Sequence, residues 1–393
     1  MPKLVVCAAT LAAAAFASAQ DRMYFTGNGN GPDPIRSANL DGSALQVVLP
    51  NLTSPQGIAI DPIGRKMYWT DPPRVQRADL NGANIETLVT LTSGVPRAIA
   101  VDASAGRMYW AAGSRIQGAN LDGSNVQDLV TGLNAATGIA LDNAGRMFWT
   151  DVNNDVIQSA NLDGTNVQTV LNQDGWGIAI DCAARQMYWT VTSGIRRANL
   201  DGSNVQTIVT GLTWSSAITV EGRDGKLYWS DRIAQKVQRS DLDGSNVEDL
   251  VTGVDTILGI AIDLPGCNAS WDRYGSGWAG TNGIPDLTPA GDPVLGCALT
   301  IDLQNSSGTA AAGVLVVGLT PAMLPTPVGG TLLVTPAVTV GVNVPAGGLP
   351  IVLPLRASRL LCGTPLYLQA AQADAGATQG LSFTSGLRLV LGY

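Results

Sequence analysis

Histidine is absent from all 393 residues. That excludes Ser-His-Asp and Cys-His catalysis, His-ligated zinc and imidazole general bases together. Charge is sparse, at 14% of residues, and its balance is acidic at −8, so the basic footprint that nucleic acid requires is missing. No apolar run is long enough to cross a bilayer: Leu4 to Phe16 is too short, and Pro and Gly interrupt Ala311 to Leu355. Cysteine is scarce as well. Beyond Cys7 there are Cys182, Cys267, Cys297 and Cys362, an even number that permits disulfides in an exported chain, with Cys267–Cys297 favoured by proximity. Four are too few for a disulfide scaffold of this length.

The first nineteen residues read as a secretory signal. Lys3 gives the positive start, Leu4 to Phe16 the apolar stretch, and Ala17-Ser18-Ala19 the small-residue cleavage site. The mature chain is expected to begin at Gln20 or Asp21 and to act as a secreted or cell-surface protein. Cys7 follows Val6 and sits too early for a lipoprotein signal.

What is abundant is repetition. Six units of about forty residues open at Met23, Met67, Met108, Met147, Met187 and Leu227, with MYFT, MYWT, MYWA, MFWT, MYWT and LYWS. A run ending in an acid precedes each: GIAID at 57–61 and 177–181, AIAVD at 98–102, GIALD at 138–142, AITVE at 217–221 and GIAID at 259–263. A third strand ends in Leu-Asp-Gly or Leu-Asn-Gly, where both turn residues tolerate positive φ and favour a tight hairpin. In the MYWT strand the alternation puts Met and Trp on one face, Tyr and Thr on the other. Large side chains on both faces suit a sheet packed between neighbours, each buried ring contributing about 2–3 kcal/mol. The register starts on a second strand at Met23 and ends on a first strand at Asp263, so the chain's last repeat strand closes the circle and removes open edges. The expected fold is all-β, a six-bladed propeller over residues 20–266.

These units resemble the YWTD, or LDL-receptor class B, propeller family. The matching residues are Tyr68-Trp69-Thr70-Asp71, Trp149-Thr150-Asp151, Tyr228-Trp229-Ser230-Asp231, the GIAID strands and the Leu-Asp-Gly turns. The resemblance implies an extracellular protein-recognition module rather than an enzyme. It implies structural roles for Trp69, Trp110, Trp149, Trp189 and Trp229, and for Asp71, Asp151 and Asp231 as ties between blades, with Arg77, Arg197 or Arg239 as partners. Gly27, Ala112 and Val191 replace the closing Asp in alternate units, and no EGF-like module follows.

After Gly266 the composition changes. Residues 267–291 read as a Gly/Asn/Pro-rich connector, and residues 292–393 carry short apolar runs at the spacing of an antiparallel β-sandwich. The pattern YGSGWAGTNGIPDLTPAGDPVLG with a terminal LVLG resembles a C-terminal module of secreted bacterial proteins, a surface or assembly element; a plain domain capping the propeller is the other reading.

Candidate sites compete with structural roles. The acids Asp61, Asp102, Asp142, Asp181, Glu221 and Asp263 offer a ring of oxygens for a cation, or cap their own turns and pair with the following Arg. The loop at Asp151, Asn153 and Asp155 offers oxygens to Ca²⁺, or is a solvated turn. No other cofactor is indicated. Function belongs where the repeats differ. The loops entering each first strand and those leaving each MYWT strand share one rim. The entering positions are Gln56, Arg97, Thr137, Trp176, Ser216 and Leu258. Trp176 and the adjacent blade's Trp214, with Arg97 and Arg232, are the expected anchors for a partner, since Trp and Arg dominate interface energetics; local core is their alternative role.

The sequence thus points to a non-catalytic recognition module that binds an extracellular protein or glycan through one propeller rim, without nucleic acid or a membrane span. Two alternatives stand beside it: a metal-dependent lactonase- or lyase-type propeller enzyme, and a structural component of a cell envelope or matrix.

Overall fold

The computed structural model describes residues 21–29, 33–142, 144–182, 184–222, 224–254, 256–264, 269–290, 293, 298–327, 330–355 and 364–392. The signal segment, Cys267, Cys297 and Cys362 lie outside the described residues. Two compact units divide at residues 265/266.

The first unit is a ring of six antiparallel four-stranded blades. Blade one takes its first strand, Thr256–Asp263, from the far end of the repeat region, followed by Arg22–Asn28, Asp33–Asn39 and Gln46–Leu52. Blade two is Ile58–Asp61, Lys66–Asp71, Arg74–Asp79 and Glu86–Thr90. Blade three opens with Ile99–Asp102, Arg107–Ala111 and Gly113–Asn120. One long strand, Gln127–Leu141, then serves as the outer strand of blade three and the first strand of blade four. Arg146–Asp151, Val156–Asn161 and Gln168–Leu171 complete blade four. Blade five is Ile178–Asp181, Gln186–Val191, Gly194–Asn199 and Gln206–Thr210; blade six is Ser215–Glu221, Lys226–Asp231, Lys236–Asp241 and Glu248–Thr252. Each first strand neighbours the first strands of the two flanking blades, so these strands line the axis. Pairing of Arg22 with Asp263 and Met23 with Ile262 closes the ring as the register predicts.

The MYWT alternation explains the packing between blades. Tyr24 packs with Met67 and Trp69 of the next blade, Tyr68 with Met108 and Trp110, Tyr109 with Met147 and Trp149. The series continues with Phe148 on Met187 and Trp189, Tyr188 on Leu227 and Trp229, and Tyr228 back onto Met23 and Phe25. Every blade thus offers its Tyr-face ring to the Met/Trp face of its neighbour.

Three further contacts join the blades. The Thr of the motif accepts a hydrogen bond from its own first strand and donates one to a carbonyl of the next blade: Thr150 Oγ1 accepts from Gly138 N at 2.9 Å and donates to Trp176 O at 2.6 Å. Thr26, Thr70, Thr190 and Ser230 make equivalent donations, to Gln56, Arg97, Ser216 and Ile257. Ala111 stands at this position in blade three, which keeps only the backbone bond from Ala98 N to Thr137 O at 3.2 Å, the equivalent of Gly57 N to Arg97 O in blade two. The arginines form the second contact and correct the sequence reading. Arg77, Arg197 and Arg239 donate to the carbonyls of Leu121, Leu242 and Leu40 in the next blade, at 2.9, 3.3 and 3.0 Å, rather than to the motif's Asp. The third lies in the Leu-Asp-Gly turns. There Asp41, Asp122, Asp163, Asp201 and Asp243 each accept the N–H and hydroxyl of the Ser or Thr two residues on. The following Gly comes close to the preceding blade's outer strand.

Besides a separate two-stranded pair, Pro321–Pro325 with Thr331–Val334, the described residues of the second unit form two antiparallel sheets around one apolar core. One is ordered Ser270–Tyr274, Gly386–Val390, Pro365–Ala373, Ala311–Gly318, Val338–Val344, with Leu381–Phe383 added to Pro365–Ala373; the other is Leu287–Pro289, Ala298–Leu303, Leu349–Pro354. Leu299, Ile301 and Ile351 of the smaller sheet share that core with Leu315, Leu368 and Leu387 of the larger. The stretch 267–291 is more than a connector. Ser270–Tyr274 and Leu287–Pro289 are strands, held because Trp271 and Leu287 pack into the core. A buried Asp374 fastens Thr281 and Ser306 by hydrogen bonds of 2.5 and 2.8 Å. No helix among the described residues is long and apolar enough to cross a membrane.

Candidate functional site

At the end of the axis where the first strands begin, the propeller opens into a cavity of about 280 Å³. All six entering positions (Gln56, Arg97, Thr137, Trp176, Ser216 and Leu258) line it, together with Trp214, Arg232 and Asn28. The structure therefore brings the four predicted anchors to one cavity, on the rim shared by entering and MYWT-exit loops. Asn28 was missed by the sequence reading. It occupies the register position of Arg232, directly after the motif, and the same comparison of repeats identifies it.

Four of the six first strands approach a neighbour closely here because they begin with Gly. A Cβ on Gly57, Gly138, Gly177 or Gly259 would lie 2.7 Å or less from a carbonyl oxygen of the adjacent blade: Arg97, Trp176, Ser216 and Gln56 respectively. These glycines let the strands converge, and the first residues beyond them frame the mouth.

The two tryptophans touch, with ring centroids 5.7 Å apart and planes at 57°. Arg232 lies over Trp214, its Cζ 5.2 Å from the ring centroid, a cation–π geometry that preorganises both side chains. Backbone contacts hold their loops. Trp176 N donates to Thr190 O at 2.9 Å, and Arg232 N donates to Trp214 O at 2.8 Å. Asp231 accepts Thr213 N at 2.8 Å and Trp214 N at 3.3 Å. Burial pushes the Asp231 carboxyl up, yet the hydrogen bonds from Thr213 and the loop amides outweigh it and hold the group below its ordinary value. The motif's closing Asp is thus a loop holder. Asp71 likewise accepts Ser54 N at 2.7 Å and pairs with Arg74 at 3.0 Å.

Charge at the mouth is one-signed. Arg97 and Arg232 are its ionisable side chains among the described residues lining it, and neither has a hydrogen-bond or ionic partner for its guanidinium among those residues. In a chain of net charge −8, two half-buried guanidiniums turned to one cavity without a carboxylate are a concentrated exception.

The other candidates have structural partners. Asp61 accepts Ile63 N and Gly64 N, Asp102 accepts Ser104 Oγ and Ala105 N, Asp142 accepts Ala144 N and Arg146 N, and Asp181 accepts Ala184 N. Glu221 accepts Asp224 N. These acids cap their turns, as one of the two readings expected, but the pairing with the following Arg differs: Arg65 reaches Asp263 of the preceding blade. Asp151 accepts Asn134 N, Ala135 N and Asn154 Nδ2 at 3.0, 2.7 and 2.8 Å. Asn153 turns its Nδ2 to Asn134 Oδ1 at 3.4 Å, and Asp155 is a left-handed residue ending the short turn Val152–Asn154. Among the described residues no three acidic or thiol groups gather as metal ligands.

Comparison with known proteins agrees with this architecture. The family profile described as low-density lipoprotein receptor repeat class B matches residues 65–103 and 145–181, so the chain carries YWTD-type repeats. A chain in the crystal structure of the nidogen/laminin complex is similar at 25% identity and a TM-score of 0.56, over 62% of this chain and 98% of that one. TolB from Acinetobacter baumannii shares the fold at 12% identity and a TM-score of 0.51, over 61% of this chain and 66% of its own. No curated protein sequence matches the chain.

Proposed function

We propose that this is an exported, non-catalytic recognition protein whose propeller mouth grips a carboxylate-bearing segment of an extracellular protein. The observation that carries the reading is the pair Arg97 and Arg232, facing one cavity beside Trp176 and Trp214 with no acid among the described lining residues. A planar guanidinium matches a carboxylate with two parallel N–H donors, and partial burial strengthens such a pair. The touching indoles supply apolar area at low entropic cost, the composition of an interface anchor. The cavity admits a side chain rather than a domain. The similarity to a chain in the nidogen/laminin complex, an assembly of one protein with another, supports a protein partner. The signal-like first nineteen residues support placement outside the cytoplasm.

Selection of displayed random peptides on the purified full chain tests this. Enriched sequences are expected to share an Asp or Glu beside an apolar residue. Their affinity is expected to fall at least tenfold in Arg97→Gln/Arg232→Gln and in Trp176→Ala/Trp214→Ala, the loss of about 1.4 kcal/mol or more that one charged contact contributes. Acid-free consensus sequences, or unchanged affinity in both variants, would sink the reading. Binding of uronic-acid oligosaccharides in place of peptides would move the same chemistry to an acidic glycan.

A further inference from the structure

Among the strand edges that the described residues of the second unit leave open, one has a near-palindromic sequence. Val338–Val344 is the last strand of the larger sheet, paired with Ala311–Gly318 on one side and with no strand of the described residues on the other. Its pairing runs from Ala311↔Val344 to Val317↔Val338 without a register shift, so no bulge blunts the edge. Thr339, Gly341 and Asn343 are exposed, and Val338 is 38% exposed. Residues 303–355 contain no Asp, Glu, Lys or Arg. A long, regular, uncharged edge is a template for another strand, and soluble proteins ordinarily protect such edges with charge, bulges or a cover.

We infer that this edge pairs with the same strand of a second copy of the chain, in antiparallel register about Gly341. The strand reads Val-Thr-Val-Gly-Val-Asn-Val. A two-fold axis at Gly341 sets Val338 opposite Val344 of the copy, Thr339 opposite Asn343, and Val340 opposite Val342. One face of the joint is then four β-branched cross-strand pairs, and the other two pairs of hydrogen-bonding side chains. Such an isologous contact closes after two subunits and so makes a dimer rather than a fibre. Val344 is buried and Val342 packs against the core, so the joint continues the unit's own apolar layer into the copy. Gly341 fits the axis: a Cβ there would meet nothing within 4 Å. A different partner strand would gain the backbone pairing alone, whereas this palindrome also matches the side chains on both faces.

Sedimentation velocity of the purified full chain across micromolar concentrations tests the inference. The chain is expected to double its mass as concentration rises. Thr339→Lys/Asn343→Lys places like charges opposite each other twice across the axis and is expected to leave a monomer with an unchanged melting curve. Thr339→Glu/Asn343→Glu should do the same, and mixing the two variants should restore the doubled mass. A second measurement uses Gly341→Cys, expected to give an interchain disulfide under mild oxidation that the parent chain lacks. A parent chain monomeric throughout, or a dimer indifferent to both charge variants, overturns the proposal. None of the substituted positions is among the residues that line the propeller mouth.

Discussion

Arg65 and Asp263 form a two-point ion pair between blades two and one, with Nη1–Oδ1 at 2.6 Å and Nη2–Oδ2 at 2.8 Å. Asp263 ends the strand that closes the ring, and its side chain is 2% exposed against 42% for Arg65. The pair therefore fastens the last-added strand to the blade beyond it.

Removing the arginine strands a buried carboxylate. Arg65→Ala is expected to lower stability by about 1–3 kcal/mol, below the full cost of breaking a buried pair because solvent reaches the guanidinium. Asp263→Asn should cost less, since an amide oxygen still accepts one donor and no charge is left buried. Urea midpoints of both variants and the double variant give the coupling. Arg388→Ala, which breaks an exposed pair with Asp272, is the control. If Arg65→Ala costs no more than that control, the latch role is wrong.

The Leu-Asp-Gly turns make a second prediction. Gly202 has φ of 84°, and a Cβ on it would lie 2.4 Å from Val170 O of the preceding blade. Gly106 has φ of 64° with nothing within 4 Å of its added Cβ. Gly106→Ala should cost about 1 kcal/mol, for the left-handed backbone alone. Gly202→Ala should cost a further 1–3 kcal/mol, roughly the penalty of overpacking. Equal losses in thermal melts would show that the approach between blades relaxes freely.

That contrast marks the limit of what the repeats disclosed. Periodicity located every blade, the closing strand and the mouth, because strand alternation and loop equivalence are one-dimensional properties that survive into the fold. Contacts between blades are not. Register within the blade sets Arg77 opposite Tyr68, three residues from Asp71, but nothing in its spacing indicates that it reaches Leu121 O, since that distance depends on how neighbouring sheets tilt. Alternation sets the motif's Thr on the same face as its Tyr, but does not disclose that its hydroxyl bridges blades and positions the carbonyl of Trp176. Ser270–Tyr274 was hidden for another reason: the Gly, Asn and Pro around it read as a connector, and the docking of Trp271 into the core holds it as a strand.

Acid should loosen both units in the same window. The carboxyls of Asp231 and Asp374 lie below their ordinary value: burial raises each, but hydrogen bonds from Thr213 for the former and from Thr281 and Ser306 for the latter more than reverse it. A depressed folded-state value means the unfolded chain binds protons more readily. The stabilisation is therefore fully present above the unfolded carboxylate value of about 4, and is lost as pH falls through the lower folded-state value. Melting temperature is expected to hold steady near neutrality and drop below about pH 4. In Asp374→Asn the acid-dependent part should shrink, with a lower plateau. A variant as acid-sensitive as the parent would exclude Asp374 from the effect.

The two mouth tryptophans are positioned by the motif residues of different blades. Thr150 Oγ1 donates to Trp176 O, and Asp231 accepts Trp214 N, so each ring's backbone rests on a buried polar group. Thr150→Val keeps the shape and removes the hydroxyl; it is expected to cost about 1–2 kcal/mol, the loss of a buried hydrogen-bonding group. It should also shift the near-UV circular dichroism that the touching indoles generate, read as the signal lost in Trp176→Ala. Thr70→Val makes the same change at a blade junction whose carbonyl belongs to Arg97, and should cost similar stability while leaving the indole signal intact. If both variants alter that signal equally, the mouth responds to the ring as a whole. A change confined to Thr150→Val instead ties the geometry of Trp176 to the single hydroxyl beneath it.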